Sequence, residues 1–170
     1  MKKEIKEALY QQMKTSEPNI EDIIRKYITD ENTQKPILHY IAWLKSNGTT
    51  PQYADFEGQS PFWEVEYNGK KHYIVWDGKD TIRIMIQVAF SKEYQAIICE
   101  NNLQDIILTN LQYCSRPSGG ECGNCHLPPG IHGVGKIIFG KEIKNLCCGQ
   151  FTTFQNPYIE AIEAIKLLLK

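Results

Sequence analysis

Trp63, Val65 and Tyr67 alternate with Glu64, Glu66 and Asn68, and the alternation halts at Asn68-Gly69. Period-two alternation marks a half-buried strand, and Asn-Gly is the strongest short signal for a two-residue hairpin turn. With the turn there, Glu66 faces Lys71, Val65 faces His72 and Trp63 faces Ile74. A second turn around Asp77-Gly78 leads into Ile82, Ile84, Ile86 and Val88, which alternate with Arg83, Met85 and Gln87. Residues 62–89 are therefore expected to form a three-stranded meander with one apolar face, and that face needs cover.

Helices are expected to supply it. Residues 3–14 are weakly amphipathic up to Ser16-Glu17-Pro18. Ile20, Ile23, Ile24, Tyr27 and Ile28 then recur at the spacing of one buried helical stripe. A third helix is expected from about Pro36 to Ser46, with Ile37, Tyr40, Ile41 and Leu44 apolar and Gly48 as its stop. Residues 48–61 lack periodicity and read as a loop. Residues 91–99 fit helix or strand. Asn102 reads as the cap of a helix running to Tyr113, with Asp105 in its first turn and Leu103, Ile106, Ile107 and Leu111 on one face. Lys136–Phe139 and Leu146–Phe154 read as strands. Asn156-Pro157 opens a last helix, Asn as N-cap and Pro at N1, with Ile159, Ile162, Ile165 and Leu169 buried and Lys166 and Lys170 at the cation-favouring end.

The expected architecture is α+β: an antiparallel sheet of about five strands, including the meander, packed with N-terminal helices and a C-terminal helix. A chain of 170 residues suits one domain. Its helical part spans about 1–47, its sheet and cysteine-rich loop about 62–155, and its last helix about 157–170.

Charge narrows the partners. Nineteen basic residues stand against 20 acidic ones, for a net charge of −1, and no basic stripe is present. That balance argues against a large phosphate-binding surface. The first ten residues carry charges throughout and no apolar core of a secretory signal, and no stretch approaches the roughly 18 apolar residues of a membrane span. If Met1 opens the gene product, the chain is expected to be cytoplasmic. Reduced thiols are then the default, and clustered cysteines favour metal or redox use over disulfides.

Five of the six cysteines fall between residues 114 and 148. Cys122-Gly-Asn-Cys125 has the knuckle spacing that lets two thiolates grip one ion, with Gly119-Gly120 just before it for backbone freedom. The expected zinc ligands are Cys114, at the end of the helix that starts at Asn102, then Cys122, Cys125 and Cys147, with His126, His132 or Cys148 as substitutes. Cys147 and Cys148 are adjacent on an expected strand and point to opposite faces, so only one readily reaches the ion. Four thiolates around a dication make a poor Lewis acid, which favours a structural role; an open site with His126 and a water would be the catalytic variant. Inert buried thiols are the plain alternative. A redox pair at Cys122 and Cys125 is another, but Pro128-Pro129-Gly130 opposes the helix that would lower the thiol pKa. Cys122-Gly-Asn-Cys125-His126 also fits c-type haem attachment, yet no methionine follows it, since the only Met residues are 1, 13 and 85.

Other residues read as structural. His72 falls on the apolar hairpin face and reads as a hydrogen-bonded core histidine. His39 and Trp43 lie one helical turn apart, as packing explains. Tyr53, Phe56, Phe62, Trp63, Tyr73 and Trp76 read as an aromatic core across the sheet before they read as a pocket lining. Asp55, Glu57, Glu64 and Glu66 fit a solvated face.

Gly135-Lys-Ile-Ile-Phe-Gly-Lys-Glu142, Leu146-Cys147, and Phe154-Gln-Asn-Pro157 before an amphipathic helix resemble an uncharacterised family of small bacterial cysteine-rich α+β proteins. Tyr40–Asn47 and Trp63–Lys71 resemble that family's "W-L" helix and "W-x-V-x-Y-x-G-K" hairpin, so the likeness covers about residues 37–170. The resemblance implies the same layout and no reaction. It favours Cys147 over Cys148, and departs where a second family cysteine would stand, at Gly149. Three functions are expected in order. The first is a binding or interaction protein with structural zinc, its aromatic face touching a protein or small ligand. The second is a thiol enzyme or redox sensor using Cys122 and Cys125, and the third a nucleic-acid-associated zinc module.

Overall fold

The computed structural model describes residues 10–13, 15–54, 60–88, 90–114, 133–147 and 151–170. The chain divides into two compact units, one of residues up to Ile86 together with Phe154–Lys170, the other Gln87–Thr153. The fold is α+β, with a five-stranded antiparallel sheet and a separate two-stranded one.

In the first unit, α1 (Ile20–Tyr27) and α2 (Glu31–Ser46) precede β1 (Gln52–Ala54), β2 (Phe62–Tyr67), β3 (Lys70–Gly78) and β4 (Thr81–Gln87). β7 (Phe151–Gln155) completes the sheet in the order β1-β2-β3-β4-β7, and α5 (Ile159–Leu169) follows. Asn19 caps α1 by accepting from the Glu21 amide, and Ile20, Ile23, Ile24 and Ile28 are buried as the stripe requires. α2 starts five residues before the expected Pro36. Asp30 caps it, accepting from the Asn32 amide and the Thr33 hydroxyl, and Pro36 lies inside the helix, where it removes one backbone hydrogen bond. Its end is a Schellman motif: Gly48 at φ +78° donates to Lys45 and Thr49 donates to Leu44.

The meander carries the expected register at Glu66–Lys71, Val65–His72 and Trp63–Ile74. Asn68 (φ +51°) and Gly69 (φ +71°) form the turn, both left-handed as a type I′ hairpin demands. The second turn sits at Lys79-Asp80, beyond the expected Asp77-Gly78, because a bulge between Trp76 and Gly78 lengthens β3. β1 lies inside the stretch read as a loop; three residues are too few to show alternation, and they pair with the edge of β2. One sheet face holds Trp63, Val65, His72, Ile74, Trp76, Ile82, Ile84 and Ile86, all buried. Helix residues seal it: Tyr27 of α1 packs on Trp76 at 4.9 Å, Tyr40 of α2 meets His72, and the Trp63 indole donates to the Pro18 carbonyl. Trp63 and Trp76 are therefore core, and Tyr53 meets Trp63 edge-on at 5.7 Å.

Asn156 is not the expected helix cap. Its φ is +45°, Tyr158 holds the cap position of α5, and Asn156 instead clasps the β3–β4 turn. Its backbone amide donates to the Ile82 carbonyl, its Oδ1 accepts from the Ile82 amide and its Nδ2 donates to the Asp80 carbonyl. Asp80 in turn accepts from the Thr29 amide and hydroxyl, which holds its carboxyl below the usual range. The other end of α5 is satisfied by the first hairpin, where Asn68 and Lys70 donate to the carbonyls of Leu169 and Leu168.

In the second unit, α3 (Lys92–Glu100) resolves the ambiguous stretch as helix, capped by Ser91. Asn102 again sits on the other side of a boundary: at φ +55° it ends α3, donating to Cys99 while Leu103 donates to Ile98. α4 (Gln104–Thr109) is short. Asn110 closes it with its side chain on the Ile106 carbonyl, so residues 111–114 are extended. The strand read as Leu146–Phe154 is two strands. β5 (Val134–Ile138) and β6 (Lys141–Leu146) form their own hairpin about the left-handed pair Phe139-Gly140, whereas β7 belongs to the larger sheet. Gln95 of α3 anchors this hairpin by accepting from the Phe139 amide and donating to the Phe90 carbonyl.

Two outcomes are expected. Asn156→Ala leaves the Ile82 amide and the Asp80 carbonyl unpaired and should cost about 2–4 kcal/mol in urea unfolding; a loss under about 0.5 would mean water replaces the clasp. Burial pushes the His72 imidazole down to about 4 and the Tyr40 hydroxyl well above its ordinary value, so the neutral pair is the folded form. A histidine depressed on folding stabilises above its unfolded value, and loses that contribution as pH falls from about 6.5 through about 4. The loss should be on the order of 3 kcal/mol, and His72→Gln should flatten stability across that window; an unchanged slope would remove His72 as its source.

Candidate metal centre

Two of the expected ligands, Cys114 and Cys147, lie among the described residues. Cys122, Cys125, His126, His132 and Cys148 lie outside them. Cys114 does not end a helix. It follows Tyr113, which bridges antiparallel to Leu146, and its amide donates to the Asn145 carbonyl at 2.7 Å. Cys147 follows Leu146, and its amide donates to the Gln112 carbonyl at 2.8 Å. Each cysteine is thus one residue beyond the Tyr113–Leu146 pair, on the opposite face of the ribbon from it. They are diagonal neighbours, a relation that separates residues by about 7–8 Å, with the Cβ atoms somewhat closer. Both thiols are free and half-buried.

Leu146 has a second partner. It pairs with Val134 of β5 as well as with Tyr113, so its strand lies between the other two. Cys114 lies on one side of Leu146 and Gly133 on the other. Two inter-strand spacings separate those sides, about 10 Å. Cys114 and Gly133 thus both lie beside the strand that carries Cys147. Gly133 shows how close the strands lie there: a Cβ on it would sit 2.5 Å from the Asn145 backbone carbon, and its φ is +64°.

Sulfur reach decides what this pair can do. A disulfide wants Cα atoms within about 6.8 Å, and diagonal neighbours exceed that. Two sulfurs on one tetrahedral zinc lie about 3.8 Å apart, given bonds of about 2.3 Å, so an ion lengthens the bridge that a direct S–S bond cannot make. Among the described residues no group of three or more His, Cys, Asp or Glu side chains gathers as an ion site. Cys99, the remaining described cysteine, is exposed on α3.

A second cluster escaped the sequence. Lys166 reads as a lysine at the cation-favouring end of the last helix, and its side chain is only 9% exposed. Its Nζ lies 2.8 Å from His39 Nε2, 2.7 Å from Glu163 Oε1 and 5.8 Å from the Trp43 ring centre. Lys166 holds the Glu163 carboxyl below its ordinary range. Trp43 leans on Tyr67 at 5.0 Å, so packing does explain it, and His39 shares the lysine. Lys166 follows Ile162 by four residues, which places it on the flank of the buried stripe. A shallow groove of about 430 Å³ lies elsewhere, lined by Thr49, Thr50, Gln52, Tyr53, Glu64 and Glu66 among others. Lys71 pairs with Glu64 at 2.6 Å beside it.

No protein family, curated protein or solved structure matches this chain. Function has to be argued from its own residues.

Lys166→Ala should cost about 1–2 kcal/mol by removing the stem that covers Trp43, while Lys166→Met should cost less than half as much. Equal losses in urea melts would assign the effect to the charge.

Proposed function

We propose that this is a binding or interaction protein whose cysteine-rich segment is organised by a structural zinc ion. Cys114, Cys122, Cys125 and Cys147 would hold the ion, with His126, His132 or Cys148 able to replace one of them. The observation that supports this reading is the Tyr113–Leu146 bridge, which sets Cys114 and Cys147 on one face at opposite corners. Cys114 and Gly133, which flank the Cys122-x-x-Cys125 spacing in sequence, both lie next to the strand of Leu146. Soft thiolate donors in that number suit zinc in a closed, non-catalytic site. The ion would supply cross-linking of the segment, and a reducing cytoplasmic setting would keep the thiols available.

The partner surface moves from where the sequence placed it. The two tryptophans of the aromatic face are buried core, whereas Tyr113 and Ile137 of the cysteine-bearing unit are 50% and 70% exposed. A partner protein gains most from covering such residues. Near-neutral charge opposes a nucleic-acid partner. Among the described residues no helix is long and apolar enough to cross a membrane.

The purified protein should carry about one zinc per chain, and chelation should lower its melting temperature steeply, since structural zinc contributes about 10–16 kcal/mol in small zinc domains. Cys114→Ser and Cys147→Ser should each lose most of that zinc. Metal-free protein with an unchanged melting temperature sinks the reading. A thiol titrating well below about 8.5 would instead favour the redox use of Cys122 and Cys125.

A further inference from the structure

We infer that His39, Glu163 and Lys166 form a proton-operated latch between α2 and α5. When His39 takes up a proton it exchanges Lys166 for Glu163, and the freed lysine uncovers Trp43. No cysteine takes part, so the latch stands or falls independently of the zinc reading. Lys166 Nζ lies 2.8 Å from His39 Nε2 and 2.7 Å from Glu163 Oε1, and His39 Nε2 lies 3.6 Å from that same oxygen. An ammonium has only protons to give. The contact to His39 therefore needs a lone pair on Nε2 and leaves the proton of the neutral imidazole on Nδ1.

A proton arriving on Nε2 removes that lone pair and sets two cations face to face. His39 and Glu163 are each about half-exposed, whereas the Lys166 side chain is almost covered. The imidazole can thus take its proton from solvent, while little water screens the ammonium from the new repulsion. The long lysine stem swings its head outward into water, and the imidazolium closes on Glu163. Nζ stands 5.8 Å from the centre of the Trp43 ring, so its departure opens that ring where it leans on Tyr67. Histidine suits such an exchange because its charge ordinarily changes between about pH 5 and 8. The neighbouring charges are engaged elsewhere or stand a turn away. On α2, Lys35 is held by Glu31; on β3, Lys70 donates to the Leu168 carbonyl. On α5, Glu160 precedes Glu163 by one turn and Lys170 follows Lys166 by one. Tyr40 and His72, beside Trp43, are buried and bonded to each other.

The test follows the histidine ring nitrogens and the tryptophan indole N–H signals of the full chain by NMR, from about pH 8.5 down to about 5. His39→Gln and Trp43→Phe assign the two signals that matter. At the alkaline end the His39 ring should carry its proton on Nδ1, with Nε2 as acceptor. The Trp43 indole signal should then move with the same midpoint as the His39 ring. Lys166→Met keeps the stem and removes the charge, so it should raise that midpoint by about 0.5 unit or more, and Glu163→Gln should lower it. A neutral His39 protonated on Nε2, or a Trp43 signal that ignores the His39 titration, overturns the latch in the unsubstituted chain alone. Shifts of the same sign in the two variants, or none, overturn it as well, because a lysine that merely packs on Trp43 would leave the midpoint where it is.

Discussion

One face of the β2–β3–β4 meander carries eight buried side chains that cannot remain in water, and the first unit is arranged to remove them. α1 and α2 meet that face through rings: Tyr27 on Trp76, Tyr40 at His72, Trp43 against Tyr67. Placing a histidine there is costly unless it stays neutral and bonded: burial keeps the imidazole neutral, and the Tyr40 hydroxyl bonds its Nε2. The polar clasps lie at the margins, where backbone groups would otherwise lack partners. Asn156 serves the β3–β4 turn, while Asn68 and Lys70 serve the end of α5.

The second unit is held differently. Its hairpin has few buried side chains, Ile138 and Leu146 among them, and relies on backbone pairing around Leu146 and the Gln95 anchor. The Tyr113–Leu146 bridge, beside which Cys114 and Cys147 share a face, occurs in that unit.

Signals confined to a few consecutive residues were readable. Asn68-Gly69 and the alternation around it determine the register without help from the rest of the chain. The isoleucine stripe of α1 and the glycine stop of α2 are equally local. The misread positions share a cause. Asn102 and Asn156 both stand next to helices, and asparagine suits an N-cap or a left-handed residue almost equally. Asn156 takes its role from Ile82, a partner 74 residues away that the local sequence does not reveal, whereas Asn102 closes α3 on the nearby Cys99 carbonyl. Lys166 was hidden for a similar reason, because its burial depends on Trp43 and His39 of a helix more than a hundred residues away.

Alternation, stripes and turn residues alone thus determined the α+β class, the meander, its first register and the clustering of cysteines in one segment. Tertiary structure alone decided that the helix stops at Asn110 and that Tyr113 enters an extended pair with Leu146, setting the Cys114 thiol on the same face as that of Cys147. The reason is physical: strand pairing between distant segments is chosen by which edges remain open after folding, and no spacing within either segment encodes it.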